Sequence, residues 1–307
     1  MSSTATVQQL FKKWRGERDA DAGQEMARRF SDWYYAITAA RLGDRQGRAP
    51  LEAACQAFEQ GIVQVTKTSD LVDWAHAIVQ REVERAGGRV PGGDYPNALT
   101  RKRSPTELLQ GARHSLPPHQ VELLDLAYDS GVDQDTLEAR ADPHGGVPDA
   151  ILEARYALKR YLRDVAGVTL DVVPDQPNLD LAPLPLYEAA RMATAQEEAA
   201  FEKWLLSDLT LCKDVAEFAA FAHALRAGAL KPAATAPTAS AAASPGGAAA
   251  GPPPSAEAVP GPAVVPRSEP AASSATARGS KPPVALIIAS VVVFIVVALG
   301  VGLFVLR

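Results

Sequence analysis

The feature that most constrains this chain is an uninterrupted apolar run near its C-terminus. Residues Val284 to Leu306 contain no charged side chain and consist mainly of Val, Ile, Leu and Ala. A helix needs roughly 20 apolar residues to cross the hydrocarbon core of a bilayer. The run therefore predicts one transmembrane helix over 284–306, which anchors the chain in a membrane.

The charges beside this run predict its orientation. Arg267, Arg278 and Lys281 precede it, whereas Arg307 is the one residue that follows it. Positively charged flanks favour the cytoplasmic side of a membrane. The N-terminal sequence MSSTATVQQLFKKWRGERD has no apolar core and does not resemble a secretory signal peptide. We therefore expect the residues before the anchor to lie in the cytoplasm.

Residues 229–282 have a composition unlike the rest of the chain. They are mostly Ala, Pro, Gly and Ser, and half of the chain's 24 prolines fall between Pro232 and Pro283. Such a composition cannot bury enough apolar surface to offset the entropy of ordering. The segment is predicted to be a disordered linker, and as a coil it would span about 40 Å.

The remaining N-terminal part has the pattern of an all-α protein. Apolar residues recur three or four positions apart, as at Met26, Phe30, Trp33 and Ile37, and no run alternates with a period of two. After this first helical stretch, the predicted helices cover residues 51–65, 71–86, 117–128, 134–141, 148–165, 187–206 and 213–225. Pairs of glycines, such as Gly87-Gly88, mark the ends of helices.

Two stretches resemble the extracytoplasmic-function class of bacterial sigma factors. Arg28-Arg29-Phe30, Arg41-Leu42-Gly43-Asp44 and the segment LVDWAHAI from Leu71 to Ile78 are similar to sigma region 2. The segment LPPHQVELL from Leu116 to Leu124 resembles the opening of sigma region 4, which leads into a helix-turn-helix. The resemblance implies a region 2-like helical domain over 1–88, a linker over 89–104 and a region 4-like domain over 105–168.

A helix-turn-helix at this place would use its second helix, behind Pro148, to enter the major groove of DNA. The basic side chains of that helix and of the preceding linker are then the candidate DNA contacts: Arg155, Lys159, Arg160, Arg163, Arg101, Lys102 and Arg103. In the sigma family, the helix after the R-L-G-D step grips RNA polymerase. The resemblance thus assigns polymerase binding to Leu51, Glu52, Phe58 and Glu59.

The chain also departs from the sigma pattern. Most of the acidic surface expected beside Leu51 is missing, and the presumed recognition helix carries Asp149, Glu153 and Asp164 among its cations. DNA affinity depends mainly on the neutralisation of phosphates by Lys and Arg, and the net charge of the chain is −5. The alternative reading of these basic residues is a solvated helix face.

Residues 183–228 are similar to the helical domain of anti-sigma factors. Such domains often hold zinc, but Trp204 stands about where the histidine would be and Cys212 is the one thiol in the segment. Four zinc ligands cannot be assembled from these residues, so no cofactor is expected. The plain alternative is an amphipathic helical hairpin with a core that includes Phe201, Leu205 and Phe218.

No pattern in the sequence indicates catalysis. The five histidines are scattered, and there is no phosphate-binding loop or nucleophile elbow. We therefore expect a regulator rather than an enzyme: a single-pass protein of the bacterial inner membrane, C-terminally anchored, that resembles a sigma factor. Its expected partners are RNA polymerase core or another sigma factor, promoter DNA, and the membrane.

Two alternatives remain open at this point. The sigma-like helices could form an adaptor that binds protein instead of DNA, or a sequestering protein of the anti-sigma type. They could also serve only as an oligomerisation platform in an envelope structure. Salt-sensitive DNA binding distinguishes the first reading from both alternatives.

Overall fold

Ten α-helices make up most of the part of the chain that the computed structural model describes. That part comprises residues 5–89, 103–176 and 178–231, and it contains no β-strand. The predicted all-α class is confirmed. The helices are α1 (Val7–Glu17), α2 (Ala20–Gly61), α3 (Leu71–Arg85), α4 (Pro105–Arg113), α5 (Pro118–Tyr128), α6 (Gln134–Ala141), α7 (Val147–Asp164), α8 (Pro183–Glu188), α9 (Ala195–Leu205) and α10 (Leu209–Arg226).

The N-terminal helices begin at well-formed caps. The Thr6 hydroxyl accepts a hydrogen bond from the backbone N–H of Gln9, and the Gln9 side chain accepts one from the N–H of Thr6. This capping box satisfies two donors that the first turn of α1 leaves free. At the start of α2, Asp19 accepts a hydrogen bond from the N–H of Ala22 in the same way.

Helix α2 is long and kinked. It consists of two helices joined across a kink at Gly43, whose angles are non-helical, φ 80° and ψ 168°, and this agrees with the separate helices predicted on either side of Gly43. That region of backbone space is open essentially to glycine. The glycine of the Arg41-Leu42-Gly43-Asp44 segment therefore sets the bend between the two halves of α2.

Helices α4 to α7 form the region predicted to hold a helix-turn-helix. The predicted helices over 117–128, 134–141 and 148–165 correspond to α5, α6 and α7. The turn into α7 passes through Gly145 and Gly146, both with positive φ near 96°. Helix α4 was not predicted, although Ser104 and Glu107 form a second capping box at its start.

The C-terminal helices differ from the predicted hairpin. The helix predicted over 187–206 is divided into α8 and α9, because the chain leaves α8 through Ala190, which has a left-handed φ of 61°. Helix α9 begins again where Thr194 accepts a hydrogen bond from the N–H of Glu197. The last helix, α10, agrees with the predicted segment within a few residues.

Helix α10 contributes to both hydrophobic cores of the described chain. The first core contains the aromatic residues of α2, such as Trp33 and Phe58, together with Val215 of α10. The second core is built from α4 to α7, with Phe218 and Phe221 of α10 completing it. The sequence left open whether the three helical segments pack together; α10 joins them in one compact unit.

The predicted linker from residue 232 onward and the predicted transmembrane helix over 284–306 lie outside the described residues, as does most of the predicted linker 89–104. Among the described helices, none is long and apolar enough to cross a membrane.

The kink at Gly43 yields the first testable prediction. Replacing Gly43 with Ala forces an L-residue into the region at φ 80° and ψ 168°, so the free energy of unfolding should fall by about 1–3 kcal/mol. The matched control is Gly16→Ala, because Gly16 lies in α1 with no atom within 4 Å of an added Cβ.

That control should leave stability unchanged or raise it by up to about 1 kcal/mol, since Ala is the better helix former. Urea unfolding of both variants measures the difference. Equal stability of the two variants would show that the bend does not depend on Gly43.

Candidate functional site

Helix α7 was predicted to be the recognition helix, and the structure places it in the interior. It packs against α4, α5, α6 and α8. Among the residues of α7, all of which have described backbone and side chains, only Glu153 and Asp164 are exposed. A helix covered on so many sides cannot enter a DNA groove in this conformation.

The centre of this buried helix is occupied by Arg155. Its guanidinium donates to both carboxylate oxygens of Glu188 at 2.6 Å, and to the two oxygens of Asp214 at 2.9 and 3.2 Å. The side chain of Arg155 is 0% exposed. Paired, two-point contacts of this kind suit the planar fork of Arg better than any other cation.

Lys159 lies one turn further along the same face. Its Nζ donates to Asp214 Oδ1 at 2.5 Å and lies 3.7 Å from Glu217 Oε2, and it is also fully buried. We call Arg155, Lys159, Glu188, Asp214 and Glu217 the α7 ion cluster. The cluster joins two cations of α7 to three carboxylates of α8 and α10.

Two tyrosine hydroxyls complete the hydrogen bonding of the cluster. Tyr128 of α5 donates to Glu188 at 3.1 Å, and Tyr156 of α7 donates to Asp214 at 3.0 Å. The ring of Phe218 lies 4.4 Å from the Arg155 guanidinium carbon. Each carboxylate that faces Arg155 thus has several donors, as a buried charge requires.

Burial and the charges of neighbouring groups shift the pKa values of this cluster in opposite directions. Burial raises the pKa of Glu188 above its ordinary value, because Arg155 compensates only part of the lost hydration. Burial also opposes ionisation of Asp214, but the nearby charges of Arg155 and Lys159 outweigh it and hold the pKa of Asp214 below its ordinary value. Burial lowers the pKa of Lys159. The cluster is held together by its mutual pairing.

This geometry corrects part of the predicted DNA-binding set. Arg155 and Lys159 were expected to contact phosphates, but both are buried and bound to carboxylates of the same chain. The sequence did not predict this burial. Helical spacing alone does not distinguish a basic face exposed to solvent from a buried cation whose partner lies far along the chain.

The other predicted DNA contacts lie nearer the surface. Arg160 is half-buried and donates to the carbonyl of Asp175 at 3.3 Å, and Arg163 is paired with its neighbour Asp164 at 2.6 Å. Arg103 is exposed and donates to the carbonyl of Ala166 at 2.5 Å, which brings it to the end of α7. Arg101 and Lys102 lie outside the described residues.

The residues predicted to bind polymerase are on the second half of α2. Glu52 and Glu59 are exposed and Leu51 is half-buried. Phe58 is 5% exposed, and its ring centre lies 4.6 Å from that of Phe30 in the first core. Phe58 therefore supports the helix from within, whereas Glu52 and Glu59 are available to a partner.

A second buried carboxylate, Glu202 of α9, organises the N-terminal half. It accepts hydrogen bonds from Arg41 at 2.7 Å and Tyr187 at 2.9 Å, and its other oxygen lies 2.8 Å from His76 Nε2. We call this group the Glu202 cluster. Tyr187 is followed directly by Glu188, so two adjacent residues connect the Glu202 cluster to the α7 ion cluster.

An open groove of about 770 Å³ lies between α2, residues 169–172 and α10. Its charged groups are paired among themselves: Lys213 with Asp171, and Arg28 with Asp32. The groove therefore presents neither a surface of one sign nor a convergent set of unpaired polar groups.

Comparisons of the chain with protein-family models, with curated proteins and with solved structures gave no match.

The α7 ion cluster predicts a large effect of truncating Arg155. Arg155→Ala leaves Glu188 and Asp214 buried without their main partner, so the free energy of unfolding should fall by about 3–5 kcal/mol. Arg163→Ala is the matched control, because Arg163 is paired with Asp164 at the surface and its truncation should cost far less stability. Urea unfolding measures both, and a similar small loss for the two variants would contradict the buried pairing.

A buried histidine predicts a pH dependence of stability. His223 Nε2 lies 2.8 Å from the carbonyl oxygen of Ala39, and its Nδ1 lies 2.7 Å from Arg226. Burial, reinforced by the charge of Arg226, lowers the pKa of His223 to about 3. The ring therefore stays neutral in the fold at pH values where the unfolded chain binds a proton.

Because the folded pKa is depressed, the stabilisation is complete above the unfolded pKa of about 6.5 and declines as the pH falls toward 3. Between pH 7 and pH 5 the free energy of unfolding should decrease by about 2 kcal/mol. Urea unfolding at the two pH values, compared with the variant His223→Gln, measures this contribution. A decrease of the same size in the variant would assign the pH dependence to other groups.

Proposed function

We propose that this chain is a membrane-tethered, helical protein-interaction adaptor that does not read duplex DNA through α7. The observation that carries the proposal is the burial of Arg155 and Lys159 against Glu188 and Asp214. The cations that would have neutralised phosphates neutralise carboxylates of the same chain instead.

The other two basic residues predicted on α7 add little affinity for DNA. Arg163 is paired with Asp164, and Arg160 donates to a backbone carbonyl. Specific and non-specific DNA binding both depend on many phosphate contacts, and the whole chain has a net charge of −5. In this conformation the basic residues of α7 are therefore poorly placed to bind DNA.

The proposed interaction surface is the second half of α2. Glu52 and Glu59 are exposed there, and Val63, just after the helix, is 63% exposed. Two exposed carboxylates with an apolar neighbour suit a partner protein with a basic docking site, although Arg45 and Arg48 of the same half-helix are also exposed. The resemblance to sigma region 2 implies RNA polymerase core as the partner. A protein that competes for the polymerase, such as another sigma factor, is implied as well.

The proposed location is the cytoplasmic face of a bacterial inner membrane. The apolar run from Val284 to Leu306 supports an anchor, and the Ala/Pro-rich linker before it supports a long flexible tether. As a coil, a tether of this kind would keep the helical unit within about 40 Å of the membrane.

A second candidate is a sigma-like transcription regulator that binds promoter DNA. It is favoured by the order of α5, α6, the Gly145-Gly146 turn and α7, which is the order of a helix-turn-helix. It requires α7 to leave its place in the core, because the face that would enter the groove carries the α7 ion cluster.

Binding measurements on the full chain in detergent micelles separate the two candidates. The adaptor should bind purified bacterial RNA polymerase core or a purified sigma factor, and should show no salt-dependent binding to labelled duplex DNA between about 50 and about 200 mM salt. Recovery on the immobilised chain detects the protein partner, and fluorescence anisotropy detects the DNA.

Charge reversal at Glu52 and Glu59 should reduce partner binding about tenfold or more, because both carboxylates face solvent. The matched control is Glu84→Lys with Glu138→Lys, which changes the same charge at two other exposed positions. DNA binding with a steep salt dependence, or an equal loss in both double variants, would overturn the adaptor proposal.

A further inference from the structure

Helix α1 presents a basic face to solvent. Lys12, Lys13 and Arg15 are exposed, and residues 7–16 contain no Asp or Glu. The one carboxylate of α1, Glu17, is its last residue. Among the described residues, no carboxylate lies within 4.0 Å of the charged nitrogens of these three cations. We call the three side chains the α1 basic face, and its charge is not neutralised by ion pairs within the described chain.

The opposite side of α1 is apolar and already buried. Val7, Leu10 and Phe11 are each at most 5% exposed and belong to the first hydrophobic core. An amphipathic helix that enters a bilayer does so with its apolar face, and in α1 that face is not available. Contact of α1 with a charged surface therefore depends on electrostatic attraction, which salt weakens.

The opposite charge is concentrated in the middle of the chain. Residues 117–153, which include α5, α6 and the start of α7, contain nine Asp and Glu residues and one Arg, a net charge of −8. The whole chain has a net charge of −5, so the residues outside this segment are together positive. Six of the nine carboxylates are exposed: Glu122, Asp133, Asp135, Glu138, Asp142 and Glu153.

These two charged regions belong to different parts of the described unit. Helix α1 packs against α2 and contributes to the first core, whereas α5 and α6 pack against α7 and contribute to the second. The distribution of charge over the described chain is therefore asymmetric. A surface of uniform negative charge attracts the α1 basic face and repels the acidic segment.

We propose that the α1 basic face binds the surface of a bilayer that contains anionic lipids, and that this contact turns α5 and α6 away from the membrane. The inference rests on the tether of the proposed function, which places the described helices beside a membrane. Lys and Arg side chains close to an anionic bilayer are attracted by its negative surface potential. The contact is reversible, because no apolar side chain of α1 enters the bilayer.

A lipid surface suits this face better than a nucleic acid does. The face has three cations, whereas proteins that hold duplex DNA make many more phosphate contacts. In the proposed architecture the linker keeps α1 close to the bilayer without any contribution from these cations. Three charges then orient a molecule that is already at the surface, which requires less binding energy than the capture of a ligand from solution.

Two dye positions on the full chain report the proposed orientation. Gly16→Cys places a thiol on α1 where an added Cβ meets no atom within 4 Å, and Ala139→Cys places one at an exposed position of α6. Both variants also carry Cys55→Ser. Cys212 is buried, and burial raises the pKa of its thiol to about 12, so it reacts slowly with the dye.

The labelled full chain is inserted into vesicles of phosphatidylcholine alone, or of phosphatidylcholine and phosphatidylglycerol in equal parts. A quencher attached to a lipid headgroup reports how close each dye comes to the bilayer. Quenching at position 16 should be at least about threefold stronger in the phosphatidylglycerol vesicles and should decline between about 50 and about 500 mM salt. Quenching at position 139 should be weak in both lipids. Equal quenching at position 16 in the two lipids, or equal quenching at positions 16 and 139, would overturn the proposal.

Removal of charge tests the assignment to the α1 basic face. The test variant replaces all three cations of the face with Gln, and the stronger quenching in phosphatidylglycerol vesicles should then disappear. The matched control removes the same charge from three exposed residues outside α1: Arg45→Gln, Arg48→Gln and Arg140→Gln. The control should behave as the unmodified chain does. An equal loss in both triple variants, or no loss in the first, contradicts the proposal; the comparison of the two lipids needs neither variant to fold.

Failure of this inference and failure of the proposed function give different results. Flotation with phosphatidylcholine vesicles tests the anchor, because an apolar helix inserts without anionic lipid, and binding of RNA polymerase core to the full chain in detergent tests the adaptor. If the chain floats but the dye at position 16 does not respond to phosphatidylglycerol, the anchor stands and the α1 contact is rejected. A chain that does not float rejects the anchor and this inference with it. A dye that responds to duplex DNA but not to phosphatidylglycerol would assign the α1 basic face to nucleic acid and also overturn the proposal.

Discussion

The pairing of Arg155 with Glu188 and Asp214 is the interaction on which the arrangement of the described chain depends. A guanidinium with no solvent exposure is tolerated only where carboxylates surround it, and here the carboxylates come from α8 and α10. That requirement fixes α7 in the interior. It also explains why the helices on either side of residues 165–182 cannot be treated as independent domains.

In the Glu202 cluster, the other half of the molecule also pairs a buried cation with a carboxylate of the C-terminal helices. Arg41, in the segment that resembles sigma region 2, is bound to a carboxylate of α9, and Tyr187 and Glu188 connect the two clusters through adjacent residues. We expect these buried polar networks to contribute more to the choice of one packing arrangement than to net stability. The C-terminal helices thus select how the N-terminal and middle helices are placed.

The sequence predicted the helical class and most helices, because amphipathic periodicity, glycine turns and capping residues are local signals. It predicted both ends of α6 correctly, because Asp133 and Ala141 delimit a short helical pattern. It did not predict that Arg155 and Lys159 are buried, because their partners lie 33 to 59 residues away. Glu188, Asp214 and Glu202 carry the one available signal, an acidic residue on the apolar face of a predicted helix. The exposure of Glu52 and Glu59 depends on no contact with a distant part of the chain, so it could be predicted from local sequence.

The central claim is that α7 belongs to the core and not to the surface. Hydrogen exchange of the full chain in detergent tests it most directly, with peptides from α7 compared with peptides from the exposed helix α6. The account predicts that the amides of α7 exchange at least about a hundredfold more slowly than those of α6, at rates close to those of α10. Exchange of α7 as fast as α6, with α10 still protected, would contradict the account and return α7 to the role of an accessible recognition helix.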